Sequence, residues 1–112
     1  MKSNNVPQVR VGIMNDGTLE FVLNGDYVVN GAVCTGIFSA QCADGKVEWN
    51  GVSYDSLLFE PADETACSFT LKNVVIGVSF HWRRKEDQTF RGSLQLIVEN
   101  DKLTAINILS VE

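Results

Sequence analysis

The sequence predicts an all-β protein: an antiparallel sandwich or partly closed barrel of about eight to ten short strands, ending in a three-stranded meander. Three observations predict it. Turn signals recur at Asp16-Gly17, Asn24-Gly25, Asp44-Gly45, Asn50-Gly51 and Asn100-Asp101, dipeptides that supply the positive φ angles of tight turns matched to strand twist. Between them lie short runs rich in Val, Ile, Phe and Tyr. No segment combines a helical apolar period with caps, so no helix is expected.

The 112 residues and 12.3 kDa suit one core, and residues 1–112 read as a single β domain. Apolar residues make up 45% and charged residues 21%, the balance of a folded globular chain and not of a disordered tail. Fourteen acids against nine bases give a net charge of −5. That field disfavours nucleic acid and anionic membranes as partners.

Pairing is testable by arithmetic along the chain. Val9-Arg10-Val11-Gly12-Ile13 alternates as a first strand. A turn at Asn24-Gly25 would set Val22 against Tyr27 and Phe21 against Val28. A turn at Asn50-Gly51 sets Trp49 against Val52, Val47 against Tyr54 and Lys46 against Asp55. Apolar then meets apolar and opposite charges meet. Residues 60–66, with Pro61 and three acids, read as a loop.

In the C-terminal half, Val74, Ile76, Val78, Phe80 and Trp82 alternate on one face, as do Phe90, Gly92, Leu94, Leu96 and Val98. A loop at Lys85-Glu86-Asp87 would put Trp82 opposite Phe90, Ile76 opposite Leu96 and Val74 opposite Val98. The turn at Asn100-Asp101 sets Val98 against Leu103 and Leu96 against Ala105. On the other face, His81 would lie across from Arg91 and Arg91 across from Ser110. Glu112 lies diagonally from Arg91, so the two are expected to form an ion pair.

No apolar run approaches the roughly 20 residues that span a bilayer, and the start shows no secretory h-region, so no membrane insertion is expected and the chain reads as cytoplasmic. Cys34, Cys42 and Cys67 form an odd set without Cys-x-x-Cys; buried free thiols are expected. One histidine and scattered thiols offer no zinc set. No cofactor or metal is expected.

Glycoside chemistry needs a carboxylic acid of raised pKa. The acids here cluster in turns, where they are solvated, and Glu20 and Glu48 fall on polar strand faces. His81 lacks a nucleophile nearby in sequence, and no nucleophile elbow or phosphate loop occurs. No catalytic residue is assigned. His81, Arg83, Arg84, Lys85 and Arg91 form the one basic cluster. His81, Arg83, Arg91 and Glu112 are the candidate binding residues, suited to a carboxylate-bearing glycan or an acidic partner surface; a solvated hairpin tip is the plainer alternative. Trp49 and Trp82 share apolar faces and are expected in the core.

Phe90-Arg91-Gly92-Ser93-Leu94, followed after a hairpin by Leu103-Thr104-Ala105-Ile106-Asn107-Ile108 and Val111-Glu112, resembles the stage II sporulation protein D family, also called the SpoIID/LytB or amidase-enhancer domain. Phe90, Arg91 and Gly92 match its aromatic-Arg-Gly step, and Val111 and Glu112 its Val-Glu pair. Val9 to Ile13 is similar to its first strand, and His81-Trp82 to the Bacteroides-type version. The resemblance implies a bacterial peptidoglycan glycan-processing protein, a lytic transglycosylase or an amidase enhancer, working outside the cytoplasm. It implies that Glu112 is not the catalytic acid, which in the family follows further along. This chain would then be a non-catalytic N-terminal β portion whose partners are the C-terminal part of the same protein and glycan strands of the wall. The alternative is a stand-alone carbohydrate- or protein-binding β module. An exposed edge on the last strand would let two copies pair by strand addition.

Overall fold

A computed structural model describes residues 8–77 and 83–110, without the side chains of 75–77, 83–85 and 110. Among them are ten strands and no helix. These are β1 (Gln8–Asp16), β2 (Thr18–Val29), β3 (Ala32–Ala43), β4 (Lys46–Trp49), β5 (Val52–Tyr54), β6 (Leu57–Pro61), β7 (Ser68–Gly77), β8 (Arg83–Phe90), β9 (Ser93–Glu99) and β10 (Lys102–Ser110). All pairings are antiparallel. The strand path β1-β10-β9-β6-β2-β3-β4-β5, with β7 and β8 branching from β2, stays open. The chain is an all-β sandwich and not a closed barrel.

Two layers follow from that path. One holds β1, β10, β9 and β6; the other holds β2, β3, β4, β5, β7 and β8. Strand β6 belongs to both, pairing Leu57–Phe59 with β9 and Glu60–Pro61 with β2. The inward faces alternate as the strand period requires: Leu19, Phe21 and Leu23 of β2, Val47 and Trp49 of β4, Leu57 and Phe59 of β6, Phe69 and Leu71 of β7, Leu94 and Leu96 of β9, and Leu103 and Ala105 of β10 are buried. Trp49 packs edge-on against Phe38 and Phe59 at 5.5 and 5.2 Å. Its Nε1 is buried without a hydrogen-bond partner among the described residues. Cys67 is buried, Cys34 and Cys42 are half-buried, and all three are free.

The short hairpins form as expected. Trp49 pairs with Val52 and Val47 with Tyr54, Asn50 and Gly51 have φ of 52° and 78°, and Lys46 Nζ lies 2.6 Å from Asp55 Oδ1. Leu103 pairs with Val98 and Ala105 with Leu96. The loop expected at 60–66 is shorter at its start and covers 62–67: Glu60 and Pro61 end β6, paired with Val28 and Tyr27.

Three expectations are corrected. Asn24-Gly25 is not a hairpin turn: β2 runs through it, and the turn to β3 is Asn30-Gly31. Instead, 24–26 is a bulge at which one edge of β2 changes partner, from β7 at Phe21–Asn24 to β6 at Tyr27–Val28. Gly25, at φ 111°, sits where an added Cβ would be 2.8 Å from Cys67 Sγ. Second, β7 does not pair with β9. It pairs with β8, Val74 opposite Glu86 and Ile76 opposite Arg84, so Lys85-Glu86-Asp87 lies within a strand. The connection of this hairpin and the expected partners Val78, Phe80, His81 and Trp82 lie outside the described residues. The meander is therefore two hairpins in different layers, β7–β8 and β9–β10, joined at Arg91-Gly92. Third, β10 is no edge: β1 and β9 flank it. The edge of that layer is β1, so strand addition at the last strand is withdrawn, since its backbone groups are already paired.

Candidate functional site

Strand β8 ends at Phe90 in one layer and β9 begins at Ser93 in the other, so two residues carry the chain across. Gly92 makes the step with φ 94°. A Cβ there would come within 2.4 Å of the Ile108 carbonyl oxygen and 2.9 Å of Leu109 Cδ2, so both the dihedral and the space call for glycine. Neighbours bind each carbonyl of the crossing. Asn107 Nδ2 donates to the Arg91 carbonyl at 2.7 Å and to that of Ser93 at 3.3 Å. The Tyr27 hydroxyl donates to the Gly92 carbonyl at 3.0 Å. Phe90 anchors the approach by stacking on Phe69, centroids 5.5 Å apart, and Phe69 meets Tyr27 edge-on.

Arg91 is exposed, and its Nη1 donates to the Thr65 carbonyl at 3.0 Å. With Phe90 level with Phe69, Arg91 lies at the loop preceding β7. The loop is held in shape by Asp63, whose Oδ1 accepts from the Thr65 backbone at 2.9 Å and hydroxyl at 2.8 Å. His81, Val111 and Glu112 lie outside the described residues, as does the side chain of Arg83. Of the candidate site residues, the structure brings Phe90, Arg91 and Gly92 together with Asn107.

Burial, with the neighbouring Cys67 as the smaller cause, pushes the Tyr27 phenol well above its ordinary range, so it stays a hydroxyl donor at any physiological pH. Replacing Tyr27 with Phe is expected to cost about 1 kcal/mol in denaturant unfolding, by removing one donor and leaving the Gly92 carbonyl unpaired. A change indistinguishable from zero would mean that water takes its place.

The outer face of the second layer carries residues that sequence reasoning left as surface. Register places Thr18 opposite Gln41, Gln41 opposite Glu48 and Glu48 opposite Ser53, a polar row across four strands. Glu20 and Ser39 form the next row. Gln41 Nε2 donates to Glu48 Oε1. A trough of about 420 Å³ lies among Met14, Asp16, Thr18, Glu20, Ser39, Lys72 and Asn73. A second hollow of about 240 Å³, which shares Thr18 and Ser39, continues it past Gln41 and Glu48 to Asn50 and Gly51. The bulge between Leu71 and Val74 of β7 places Lys72 and Asn73 at the trough's rim, with Asn73 at φ 57°. Bulges of this kind re-aim side chains. The signal was half legible: Gln41 and Glu48 flank Asp44-Gly45 symmetrically, but Thr18 joins them only through the β2–β3 register.

Asp87 closes the rim. Its Oδ1 accepts from the Asn73 backbone at 3.2 Å and its Oδ2 from Lys72 Nζ at 3.1 Å, which hold its carboxyl below the usual range, the Asn73 hydrogen bond foremost. Thr65 does the same for Asp63 and Lys46 for Asp55, both chiefly through side-chain hydrogen bonds. A folded-state pKa below the unfolded value means stability that is present above the unfolded pKa and lost as pH falls through the folded one. The melting temperature is therefore expected to be flat from neutrality to about pH 5 and to fall below about pH 4. Asp63→Asn and Asp87→Asn should each shrink that fall; an undiminished acid limb in both variants would refute the assignment.

Among the described residues, no group of three or more His, Cys, Asp or Glu is placed to hold a metal ion, and no helix is long and apolar enough to cross a membrane. No family model, curated protein or solved structure matches the chain.

Proposed function

We propose that this chain is the non-catalytic N-terminal β domain of a bacterial cell-wall glycan-processing protein of the stage II sporulation protein D type, a lytic transglycosylase or an amidase enhancer. One observation carries the reading. The residues of the resemblance, Phe90-Arg91-Gly92 and Asn107, lie on either side of the β9–β10 hairpin turn and build one crossing between the two layers. A motif whose members hold a chain crossing together is one that a fold would keep. In this reading the crossing is architectural, the catalytic glutamate is supplied by sequence after residue 112, and Arg91 with residues 62–66 forms a rim against which that part of the protein packs.

The test has two steps. The coding sequence is read past residue 112, where an Asp-Tyr-Leu continuation and a later Glu-Met pair are expected. The complete protein is then incubated with peptide-free peptidoglycan glycan and the products are analysed for anhydro-sugar ends. A stop codon after Glu112 would sink the reading. So would a complete protein that neither cleaves glycan nor stimulates a wall amidase.

The second reading is a stand-alone carbohydrate- or protein-binding β module. The polar trough on the outer face favours it, because that trough is formed by this chain alone.

A further inference from the structure

We propose that the trough on the outer face of β2, β3 and β4, rimmed by the β7 bulge, binds an oligosaccharide without charged substituents. The inference stands on the lining chemistry and does not depend on the family reading.

The lining combines hydroxyls (Thr18, Ser39), amides (Gln41, Asn73) and carboxylates (Glu20, Glu48). Such groups offer paired donors and acceptors to vicinal hydroxyls, each able to serve a ligand that is donor and acceptor at once. Among the described residues, the side chains of Thr18, Glu20 and Ser39 carry no hydrogen bond or ion pair, so their capacity is available to a ligand. The cation at the rim, Lys72, is already engaged by Asp87. With Asp16, Glu20 and Glu48 on its walls, the trough repels phosphates and carboxylates.

The next row of the same face is aliphatic, Val22 paired with Ile37; beyond the exposed Thr35 and the bulge, Val28 pairs with Val33. Ile37, next to Ser39 on β3, is 76% exposed and Val33 further along is 65% exposed, so apolar surface adjoins the polar trough. A sugar ring has that same division, with hydroxyls at its rim and C–H groups on its faces. A cation would use the carboxylates but not the apolar surface; a polypeptide strand would need a free sheet edge, and this face has its backbone paired on both sides of β2 and β3. Two joined hollows, and not one closed pocket, suit a chain of several sugar units.

The experiment is an amide-resolved NMR titration of the 112-residue chain with the N-acetylglucosamine tetramer, with a galacturonate tetramer and with calcium chloride. Saturable shifts are expected with the neutral tetramer at Thr18, Glu20, Ser39, Gln41 and Glu48, with Kd in the range of about 0.1–5 mM. Glu20→Gln with Ser39→Ala, and separately Ile37→Asp, should each weaken binding by about fivefold or more while leaving the melting temperature unchanged. Absence of saturation at about 10 mM overturns the proposal. Stronger binding of the galacturonate, or shifts with calcium alone, overturns it too. Shifts centred on Arg91 and residues 62–66 remove the trough but leave the family reading intact. Conversely, a stop codon after residue 112 removes the family reading and leaves the trough to stand or fall on the titration.

Discussion

Gly92→Ala is expected to destabilise the protein by about 4 kcal/mol, enough to unfold a typical small domain or bring it close to unfolding. Two costs add. An alanine at φ 94° carries backbone strain of about 1–3 kcal/mol. Its Cβ would also stand 2.4 Å from the Ile108 carbonyl oxygen, in the backbone of β10, and 2.9 Å from Leu109 Cδ2. A carbonyl in a paired central strand cannot step aside as a flexible side chain would, so overpacking adds roughly 1–3 kcal/mol more. Gly31→Ala is the control: its φ is 81°, but nothing lies within 4 Å of the added carbon, so strain alone of about 1 kcal/mol is expected. Urea midpoints at matched slopes measure both. If the two variants fall within about 0.5 kcal/mol of each other, the crowding at Gly92 is not what requires glycine there.

Phe59→Ala should cost about 4 kcal/mol. Phe59 is fully buried and lies edge-on to Phe21 and to Trp49, each with centroids 5.2 Å away. Its strand, β6, pairs with both layers, so the cavity would open where the layers are tied and could collapse little. Phe59→Leu keeps most of the volume and should cost about 1–1.5 kcal/mol. On the same strand, Leu58 faces outward and Leu58→Ala should stay within about 0.5 kcal/mol. The near-ultraviolet dichroism of Trp49 should weaken in the Phe59→Ala variant before the protein unfolds. A Phe59→Ala variant as stable as Leu58→Ala would mean that the core is not centred on this ring.

The turn at Asn50-Gly51 illustrates what was legible. Two residues able to adopt positive φ, flanked by Trp49 and Val52, leave one register open, and Lys46 then meets Asp55 without further information. The turn at Asn100-Asp101 worked in the same way for Val98 and Leu103. Asn24-Gly25 shows the same signature and did something else. Its glycine answers to Cys67, more than forty residues away in sequence, and serves a change of partner along one strand edge. The tighter signal for the β2–β3 hairpin was Asn30-Gly31.

The β7 register failed for a related reason. The apolar alternation of Val74 and Ile76 specifies which face points inward, and a one-residue slip would reverse it. A slip by an even number of residues leaves the faces unchanged. Val74 opposite Glu86 and Val74 opposite Val98 differ by such a slip, so alternation could not choose between them. The bulge at 72–73 and the crossing at Gly92 made the choice. The candidate site followed the same pattern. Gln41 and Glu48 were local partners, while Thr18, Glu20 and Lys72 reached them only through strands paired at long range.

From its sequence alone this protein is an antiparallel β chain with inward Leu, Phe and Val rows and hairpins closed at 44–45, 50–51 and 100–101. Those features depend on dihedral preferences and on a two-residue period, which act between neighbours. Tertiary structure decided which layer each hairpin joins, where β2 changes partner, and that polar groups from β2, β3, β4 and β7 lie side by side. Those depend on contacts such as Gly92 with Ile108 and Gly25 with Cys67, where space is contested by residues that no local pattern relates.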